Sequence, residues 1–529
     1  MRISKILSIT GLAALALTSV SCKKDFLNNY PTSQVETGEL FKTTQGARAA
    51  INGIHSIMFE STDHNTFGYP SIALMSDLMG GDMGMNRTGS GWFVTAYWFR
   101  DVAPDNTGAY MWSFYYDIIN NANHIIKYIG DATGPQDDKD EIKAQALTYR
   151  AWAYFQLANY YQFPYKSNIF AVAPTDGTRT AVFATGATTS QALGVPLYTE
   201  PTQVAKPRAT LEEVYDQVVA DLETAITLFN AAGHGRTDKS QINIDVARGI
   251  SARVALTMHD FQKAADMARD ARQGYSLMNP SEIVGGFNRI YTPEWIWGSE
   301  INAEQGGIYA SFISQMDNNL PGSYASQQIR TMSVNMFDST SNSSAPESIK
   351  RMAADDYRRG WSKKDSVISV GRIRVFYPQM KFRAQKANTF VADFPLMRAS
   401  EMYLIEAEAL AQLNQLSAAR TVLADFAVTR QPSYSADGFT SKNAIVQEVW
   451  RQRRIELWGE GFAFTDARRN MAMANTGVSP VTGIYYAFGR FLQVAERAQV
   501  TLSGNPNLLI FKIPGGELNQ NDGFIQNPR

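Results

Sequence analysis

Apolar residues recur three or four positions apart in several separated blocks of the chain, a spacing that predicts amphipathic helices. Residues 137–161 form the longest block, and Pro164 ends it. Residues 110–129 form a preceding block, and the loop at 131–135 joins the two into a predicted helical hairpin. The apolar positions of the longer block are Ile142, Ala146, Tyr149, Ala153, Leu157 and Tyr160.

A further pair of helices is predicted in the middle of the chain, and its pattern recurs later. Residues 250–264 match residues 405–419 at an offset of 155 positions. In each copy a two-residue polar turn, at 259–260 or at 414–415, separates two helices. This pattern is typical of tetratricopeptide-like helix pairs, which must stack to bury their apolar faces. The alternative is two ordinary alanine-rich hairpins.

Between the helical blocks the chain is rich in glycine, asparagine, serine, threonine and aromatic residues. Residues 294–301 predict a short strand with Trp295, Trp297 and Ser299 on one face, and we expect one face to be buried. The expected fold is mainly α-helical, a tetratricopeptide-like scaffold of helical hairpins with long irregular insertions and a few short strands. We expect the scaffold at residues 110–275 and 395–475, and the insertions at residues 40–109 and 276–394.

Composition sets limits on the class of protein. Hydrophobic residues make up 44% and charged residues 19% of the 529 positions, which excludes a disordered chain. The 49 basic and 50 acidic residues give a net charge of −1, so the protein as a whole has no positive field to hold nucleic acid. A single cysteine rules out a disulfide framework within one chain.

The N-terminus has the plan of a secretory signal. Arg2 and Lys5 precede an apolar run of about 15 residues, shorter than the roughly 20 needed to cross a bilayer. Small residues then lead to Cys22, and this arrangement resembles a bacterial lipobox. We therefore expect residues 1–21 to be removed, and the mature chain 22–529 to carry lipid on Cys22. The alternative is an ordinary secretory signal with a chance cysteine.

Several blocks, in order, resemble the SusD/RagB family of outer-membrane nutrient-binding lipoproteins. Residues 25–31 are similar to the family's Asp-Phe-Leu opening, and residues 149–157 to its Arg-Ala-x-Ala-Tyr-Phe helix. Residues 396–409 are similar to its Leu-Arg-x-Ala-Glu-x-Tyr-Leu helix. Residues 453–469 resemble the most diagnostic motif, Arg-Arg-x-Glu-Leu-x-x-Glu-Gly, and residues 513–519 resemble the family's C-terminal finish.

The resemblance implies an all-α body with four tetratricopeptide-like units, a ligand face built from the insertions, and no catalysis. We expect no cofactor, and we expect no metal site because the five histidines stand at unrelated spacings. It also implies a SusC-type TonB-dependent porin as partner, with the protein lipid-anchored at the outer membrane, exposed at the cell surface, as a lid. We therefore predict a binding lipoprotein that captures a glycan or oligosaccharide for import. Peptide capture of the RagB type, a periplasmic assembly scaffold and an enzyme are the alternatives.

The glycine-rich loop at residues 80–101 carries the main candidates for ligand binding. Sugar rings have an apolar face and a polar rim, so a glycan site needs both flat aromatic and hydrogen-bonding side chains. The aromatic candidates are Trp92, Tyr97 and Trp98, and the polar candidates are Asn86, Arg87 and Asp101. The alternative is that these aromatic side chains fill the core beneath a long loop.

Trp361 is a further candidate. It lies between Arg358-Arg359-Gly360 and Ser362-Lys363-Lys364, a polar setting that favours exposure. The alternative is cation–π packing with these neighbours.

Catalytic motifs for phosphate transfer, serine hydrolysis and zinc hydrolysis are absent from the sequence. In the last predicted helical block, residues 441–471, Glu456, Glu460 and Asp466 could be imagined as glycosidase carboxylates. Several arginines lie three or four positions from them, so we expect structural ion pairs instead.

Overall fold

The computed structural model describes most of the chain from residue 40 onwards. Cys22 and the predicted signal lie outside the described residues, so cleavage and lipidation there stay predictions. The described residues are 40–85, 91–98, 102–103, 107–233, 235–302, 309–333, 336–337, 352–362, 368–370, 373–375, 377–476, 478–479 and 504–528.

Helices dominate these ranges, and none of them is long and apolar enough to span a membrane. The α-helices are α1 (Thr44–Ile57), α2 (Tyr69–Met79), α3 (Val94–Tyr97), α4 (Thr107–Tyr128), α5 (Gln136–Tyr161), α6 (Leu211–Ala232), α7 (Ile244–Met258), α8 (Phe261–Ala271), α9 (Pro280–Ile283), α10 (Phe312–Met316), α11 (Ala399–Gln412), α12 (Leu416–Ala427), α13 (Lys442–Glu456), α14 (Ala463–Met471) and α15 (Gly515–Gln520).

The strands are short and pair in antiparallel twos: β1 with β2, β3 with β7, β4 with β5, β6 with β10, and β8 with β9. Their bounds are β1 (Ser61–Asp63), β2 (Thr66–Phe67), β3 (Met83–Met85), β4 (Ile169–Val172), β5 (Val182–Thr185), β6 (Trp295–Ser299), β7 (Arg330–Met332), β8 (Ile368–Val370), β9 (Ile373–Val375) and β10 (Phe394–Arg398).

The long helices pack against their neighbours in chain order, and α5 lies at the centre of the first group. It contacts α1, α4 and α6. Because these helices cover it on several sides, nearly all of its residues from Glu141 onwards are buried, and the single apolar face expected from the sequence is wrong. Its buried Arg150 donates to both carboxylate oxygens of Asp221 on α6, each at 2.7 Å, so the charge is paired inside the core.

The predicted repeat is confirmed by its turns. His259 and Asn414, 155 positions apart, both adopt left-handed backbone conformations, with φ of 59° and 61°. Each residue ends a helix in the same Schellman closure, after which α8 and α12 turn back along the preceding helices. Equivalent backbone hydrogen bonds close the two turns: Asp260 N to Ala255 O and Gln415 N to Leu410 O, both 2.9 Å.

The strand predicted at residues 294–301 is β6; the expected burial of one face is confirmed, and the other face is buried as well. Trp295 is 0% exposed and Trp297 is 1% exposed. The Trp297 ring contacts the rings of Tyr149 and Trp152 on α5, and α7 also packs against β6. Both faces are buried because helices and β10 enclose the strand, which therefore belongs to the core.

The predicted block at residues 441–471 consists of two helices, α13 and α14, separated by a glycine-containing turn. Gly459 and Gly461 have φ of 83° and 92°, in the region that favours glycine. A Cβ atom on Gly459 would lie 2.3 Å from the ring of Phe382, so a side chain has no room there. The turn thus directs α14 towards α2, against which it packs.

The C-terminal segment 504–528 returns to the scaffold. Asn527 is fully buried, and its Nδ2 donates to the carbonyl oxygens of Tyr161 and Phe511, both at 2.7 Å. Arg208 Nη1 donates to Asn527 Oδ1 at 2.8 Å. One amide side chain therefore joins the end of α5, the C-terminal segment and the segment that precedes α6.

Candidate functional site

Five aromatic side chains from distant parts of the chain meet at a partly exposed surface. Trp92 lies 4.3 Å from His64 and 5.7 Å from Tyr324, measured between ring centroids. Tyr309 lies 6.2 Å from Tyr324 and 5.3 Å from Phe390. We call His64, Trp92, Tyr309, Tyr324 and Phe390 the aromatic cluster. All five residues come from the two segments expected to be insertions.

Trp92 is held at the surface by the residue that follows it. Phe93 is 1% exposed and its ring contacts that of Phe67 at 5.8 Å, so it anchors the loop in the core. Its backbone nitrogen donates to Asn65 Oδ1 at 3.3 Å, in the turn between β1 and β2. Because Phe93 points inward in a left-handed conformation, with φ of 57°, Trp92 remains partly exposed beside His64.

His64 is fixed by contacts with Tyr324 and with a buried layer of polar side chains. The hydroxyl of Tyr324 and Nδ1 of His64 are hydrogen-bonded at 2.6 Å. Gln315 Nε2 donates to the His64 carbonyl oxygen at 3.5 Å, and Arg330 Nη2 donates to Gln315 Oε1 at 2.9 Å. Gln315 and Arg330 are both 0% exposed, so the aromatic cluster rests on buried, hydrogen-bonded side chains.

The aromatic cluster offers both apolar faces and polar atoms to solvent. Tyr309 is 54% exposed, and the His64 side chain is 41% exposed. Partial burial and the negative charge of Asp63 raise the pKa of Tyr324, so its hydroxyl stays neutral at physiological pH. Such a surface can stack on flat apolar faces and hydrogen-bond polar rims, which is the chemistry of a binding site.

The predicted loop candidates have different positions. Trp92 belongs to the aromatic cluster. Trp98 is half-buried and its ring meets that of Tyr97 edge-on at 6.2 Å. Tyr97 is only 4% exposed, so the expectation that its ring faces a ligand is wrong. The polar candidates Asn86, Arg87 and Asp101 lie outside the described residues, and their roles stay predictions.

Trp361 is fully buried, so its predicted exposure is wrong. Its indole Nε1 donates to the Ile283 carbonyl oxygen at 2.7 Å. Its ring centroid lies 4.5 Å from Nζ of Lys381, a buried ammonium group that also faces Phe287 and Phe382. The polar flanking sequence misled the expectation, because the cation that Trp361 covers is 20 positions away rather than adjacent.

The carboxylates considered for glycosidase chemistry are held in ion pairs instead. Glu456 is bound by Arg358 at 3.2 Å, by Arg398 at 2.8 Å and by Arg430 at 2.9 Å. Burial alone would raise the pKa of Glu456, but the three guanidinium groups outweigh it and hold the pKa well below its ordinary value. Such a carboxylate cannot act as a general acid near neutral pH.

The surrounding charges form one enclosed set, which we call the buried ionic cluster. Four acidic and four basic side chains balance within it, and Lys381 Nζ donates to Glu460 Oε1 at 2.6 Å. The cations that pair with Glu456 and Glu460 come from distant elements, whereas we expected arginines three or four positions away on the same helices. Its members, each at most 4% exposed, are Glu294, Asp356, Arg358, Lys381, Arg398, Arg430, Glu456 and Glu460.

Sequence reasoning missed four members of the aromatic cluster. His64 and Tyr324 lie 260 positions apart, and no periodic pattern links them. The only signal was their position in segments rich in glycine, asparagine and aromatic residues.

Two family models match the chain. The first, SusD-like_3, described as "Starch-binding associating with outer membrane", matches residues 50–256, and the second, described as the SusD family, matches residues 300–529. The chain belongs to the SusD/RagB family. The resemblance read from its ordered motifs is confirmed, and the first model's description associates such SusD-like proteins with the outer membrane.

Individual SusD-like proteins are similar over almost the whole chain. SusD-like protein P2 of Formosa agariphila is 22% identical over 555 aligned positions, which cover 97% of each protein. A SusD-like carbohydrate binding protein from Bacteroides vulgatus has a TM-score of 0.72 and 26% identity, covering 91% of this chain and 97% of that one. A SusD superfamily protein from the same species, at 20% identity and a TM-score of 0.72, covers 92% of this chain and 99% of its own, and supports the fold alone.

Proposed function

We propose that this SusD-family protein is a non-catalytic binding lipoprotein that captures a glycan or oligosaccharide at the aromatic cluster. The observation that carries the proposal is the partly exposed group of rings around Trp92. Aromatic faces pack on the apolar face of a sugar ring, while the polar atoms of His64 and Tyr324 can hydrogen-bond its hydroxyls. The similar protein from Bacteroides vulgatus named as carbohydrate binding supports this ligand class.

Delivery of the ligand to a SusC-type TonB-dependent transporter in the outer membrane forms the second part of the proposal. It is supported by membership of the family and by the sequence before Cys22, which resembles a lipobox. A lipid anchor of more than one acyl chain would hold the protein stably at the membrane. Metabolic labelling with a fatty acid should mark the protein in its native cell but not the Cys22→Ala variant, and an unlabelled wild-type protein would contradict lipid anchoring.

The absence of catalysis is supported by the state of the acidic side chains. Glu456 and Glu460 are enclosed in the buried ionic cluster, where no substrate can reach them. Next to the aromatic cluster, the exposed Asp63 carboxylate accepts a hydrogen bond from the backbone nitrogen of His64 at 2.6 Å. We therefore expect bound glycan to be recovered unchanged.

The ligand proposal is tested with the lipid-free mature protein and a panel of glycans and peptides, by calorimetry. Trp92→Ala and Tyr309→Ala should each weaken glycan binding at least tenfold, about 1.4 kcal/mol. Tyr291→Ala is the matched control, because Tyr291 is 64% exposed but lies outside the aromatic cluster. Glycan binding that is indifferent to Trp92→Ala and Tyr309→Ala, or binding of peptides alone, would contradict the proposal; the latter result would favour the RagB type of ligand.

A further inference from the structure

A polar cleft of about 620 Å³ adjoins the aromatic cluster. Its wall includes Pro321 and Asn388. Gly322, next to Pro321, lies under the ring of Tyr309, since a Cβ atom there would be 3.7 Å from that ring. Phe390, two residues beyond Asn388, contacts Tyr309 at 5.3 Å. The cleft and the aromatic cluster therefore meet along two chain segments, and one extended ligand can contact both.

Three cationic side chains line this cleft: Arg289, Arg383 and Lys386. Among the residues that the structure describes, none of the three forms an ion pair. Arg289 and Lys386 are exposed, whereas Arg383 donates through Nη2 to the Val284 carbonyl oxygen and has a buried Nε with no acceptor. Three cations against one carboxylate in the cleft wall contrast with the whole chain, in which 49 basic residues balance 50 acidic ones.

The one carboxylate in the cleft wall is already occupied by backbone donors. Asp317 accepts from the backbone nitrogen of Asn319 through Oδ1 and from that of Ala384 through Oδ2, both at 2.9 Å. Outside the wall, Asp393 is the acidic group that interacts with Arg289, and it accepts from the nitrogens of Ile290 and Ile301. Both carboxylates hold loops together and keep their negative charge, but the cleft wall carries three cations against the single carboxylate of Asp317 and is therefore net positive.

Amide side chains complete the cleft. Asn288 Nδ2 donates to the Arg383 carbonyl oxygen at 2.8 Å, and Gln385 Nε2 donates to the Asn288 carbonyl oxygen at 2.6 Å. These bonds fix the backbone that carries two of the cations. The exposed Asn319 and Asn388 add hydrogen-bonding groups of the kind that sugar hydroxyls use.

We propose that this cleft binds an anionic group of the captured glycan, a uronic carboxylate or a sulfate ester, while the aromatic cluster stacks on an adjacent sugar ring. This inference rests on the proposed function and narrows its ligand to acidic glycans. A guanidinium group matches the planar oxygen pair of a carboxylate or sulfate, and its hydrogen bonds to anions are about twice as strong as those between neutral groups. A neutral glycan would leave the net positive charge of the cleft wall uncompensated.

The test uses the lipid-free mature protein and polymers of defined charge. Homogalacturonan, alginate, dextran sulfate and carrageenan represent acidic glycans, and starch, xylan, laminarin and dextran represent neutral ones. We expect the tightest binding to an acidic polymer, and we expect its carboxyl-reduced or desulfated derivative to bind at least tenfold more weakly. Loss on carboxyl reduction identifies a uronic acid as the anion, whereas loss on desulfation identifies a sulfate ester.

Two variants locate the anion. Arg289→Gln and Lys386→Gln change exposed side chains, so folding is preserved, and each should weaken binding of the acidic glycan about tenfold while reducing its salt dependence. Lys166→Gln, an exposed lysine outside the cleft wall, is the matched control.

Failure of the inference is distinguishable from failure of the proposed function. Equal affinity for acidic and neutral polymers, or indifference to both cleft variants, overturns the inference alone if Trp92→Ala still weakens glycan binding at least tenfold. The absence of detectable binding to any of the polymers overturns both the inference and the proposed function.

Discussion

Trp92 and Trp361 both have polar or glycine-rich flanking sequence, yet only Trp92 reaches the surface. The difference lies in their partners. Trp361 ends a short 3₁₀ helix, Tyr357–Trp361, that directs its ring onto the buried ammonium of Lys381. Trp92 precedes Phe93, which takes the inward position. Lys381 lies far from Trp361 in the chain, and the inward position of Phe93 depends on the folded loop. The sequence therefore identified both tryptophans as candidates but did not show which one is exposed.

Trp361→Phe should therefore destabilise the protein without changing its ligand affinity. The substitution removes the hydrogen bond to the Ile283 carbonyl oxygen and weakens the cation–π contact, at an expected cost of about 1–3 kcal/mol in the free energy of unfolding. Thermal and chemical unfolding measure the first effect, and calorimetry with the bound glycan measures the second. Trp92→Phe is the comparison, with stability retained and affinity reduced. A loss of affinity in folded Trp361→Phe would contradict the assignment.

Asp77 on α2 is a buried carboxylic acid that docks α14. Its Oδ2 accepts from the backbone nitrogen of Gly461 at 3.0 Å and its Oδ1 from that of Ala463 at 3.1 Å. Burial raises the pKa of Asp77 to about 7, although both backbone hydrogen bonds act in the opposite direction. In the unfolded chain its pKa is about 3.9. Between these values the folded protein holds a proton that the unfolded chain has released.

Stability should consequently fall as the pH rises through 7. The contribution of Asp77 to the free energy of unfolding is fully present below pH 4, and it declines by about 2–3 kcal/mol between pH 5 and pH 8. Asp77→Asn should flatten this part of the pH profile of the unfolding temperature, whatever its effect on absolute stability. Asp437→Asn, at an exposed position, should leave the slope unchanged. An unaltered slope in Asp77→Asn would show that another group causes the pH dependence.

Helices were the elements that sequence predicted best, because their apolar period of 3.6 residues extends over many positions. The bounds expected for α4 and α5 lie within about three residues of those observed. Strands were harder, since each spans five residues or fewer and pairs with a distant partner. β6 was found from its alternation, but its pairing with β10 and its burial on both faces depend on elements as far away as Tyr149, 148 positions from Trp297.

The two turns of the repeat give a prediction at the level of helix pairs. Asn414 has φ of 61°, a conformation that alanine adopts at a cost of about 1–2 kcal/mol and glycine adopts freely. Asn414→Ala should lower the free energy of unfolding by about 1 kcal/mol, whereas Asn414→Gly should not lower it. Gln415→Ala, at a neighbouring exposed residue with φ of −83°, is the control. Equal stability of the alanine and glycine variants at 414 would contradict the strain argument.

The complete molecule holds information that no local pattern contains. Ordered motifs identified the family and hence the scaffold, because each motif is a continuous stretch. The residues of the aromatic cluster, and those of the cleft lined by Arg289, Arg383 and Lys386, are far apart in the sequence. They meet only after the insertions fold back on the helices. For this reason the sequence located Trp92 but not Tyr309, Tyr324 or Arg289.

Asn527 connects parts of the molecule that are 366 positions apart in the chain. Asn527→Ala would leave the carbonyl oxygens of Tyr161 and Phe511 without their donor and Arg208 without one acceptor, and we expect a loss of about 1–3 kcal/mol in the free energy of unfolding. Asp522→Ala, an exposed change in the same segment, should be neutral. Unchanged unfolding of Asn527→Ala would mean that the C-terminal segment contributes little to global stability.

Helix α8 ends at Ala271 and packs directly on α11, which begins at Ala399. The scaffold thus brings together the two ends of the excursion formed by residues 272–398. This excursion includes the segments that carry Tyr309, Phe390 and the cleft. Closing a longer excursion costs little, about 0.6 kcal/mol for each doubling of its length. Loops in this excursion can therefore lengthen, shorten or exchange their side chains while the helical frame persists. The same helical scaffold can in this way acquire new ligand specificities during evolution while its own packing stays unchanged.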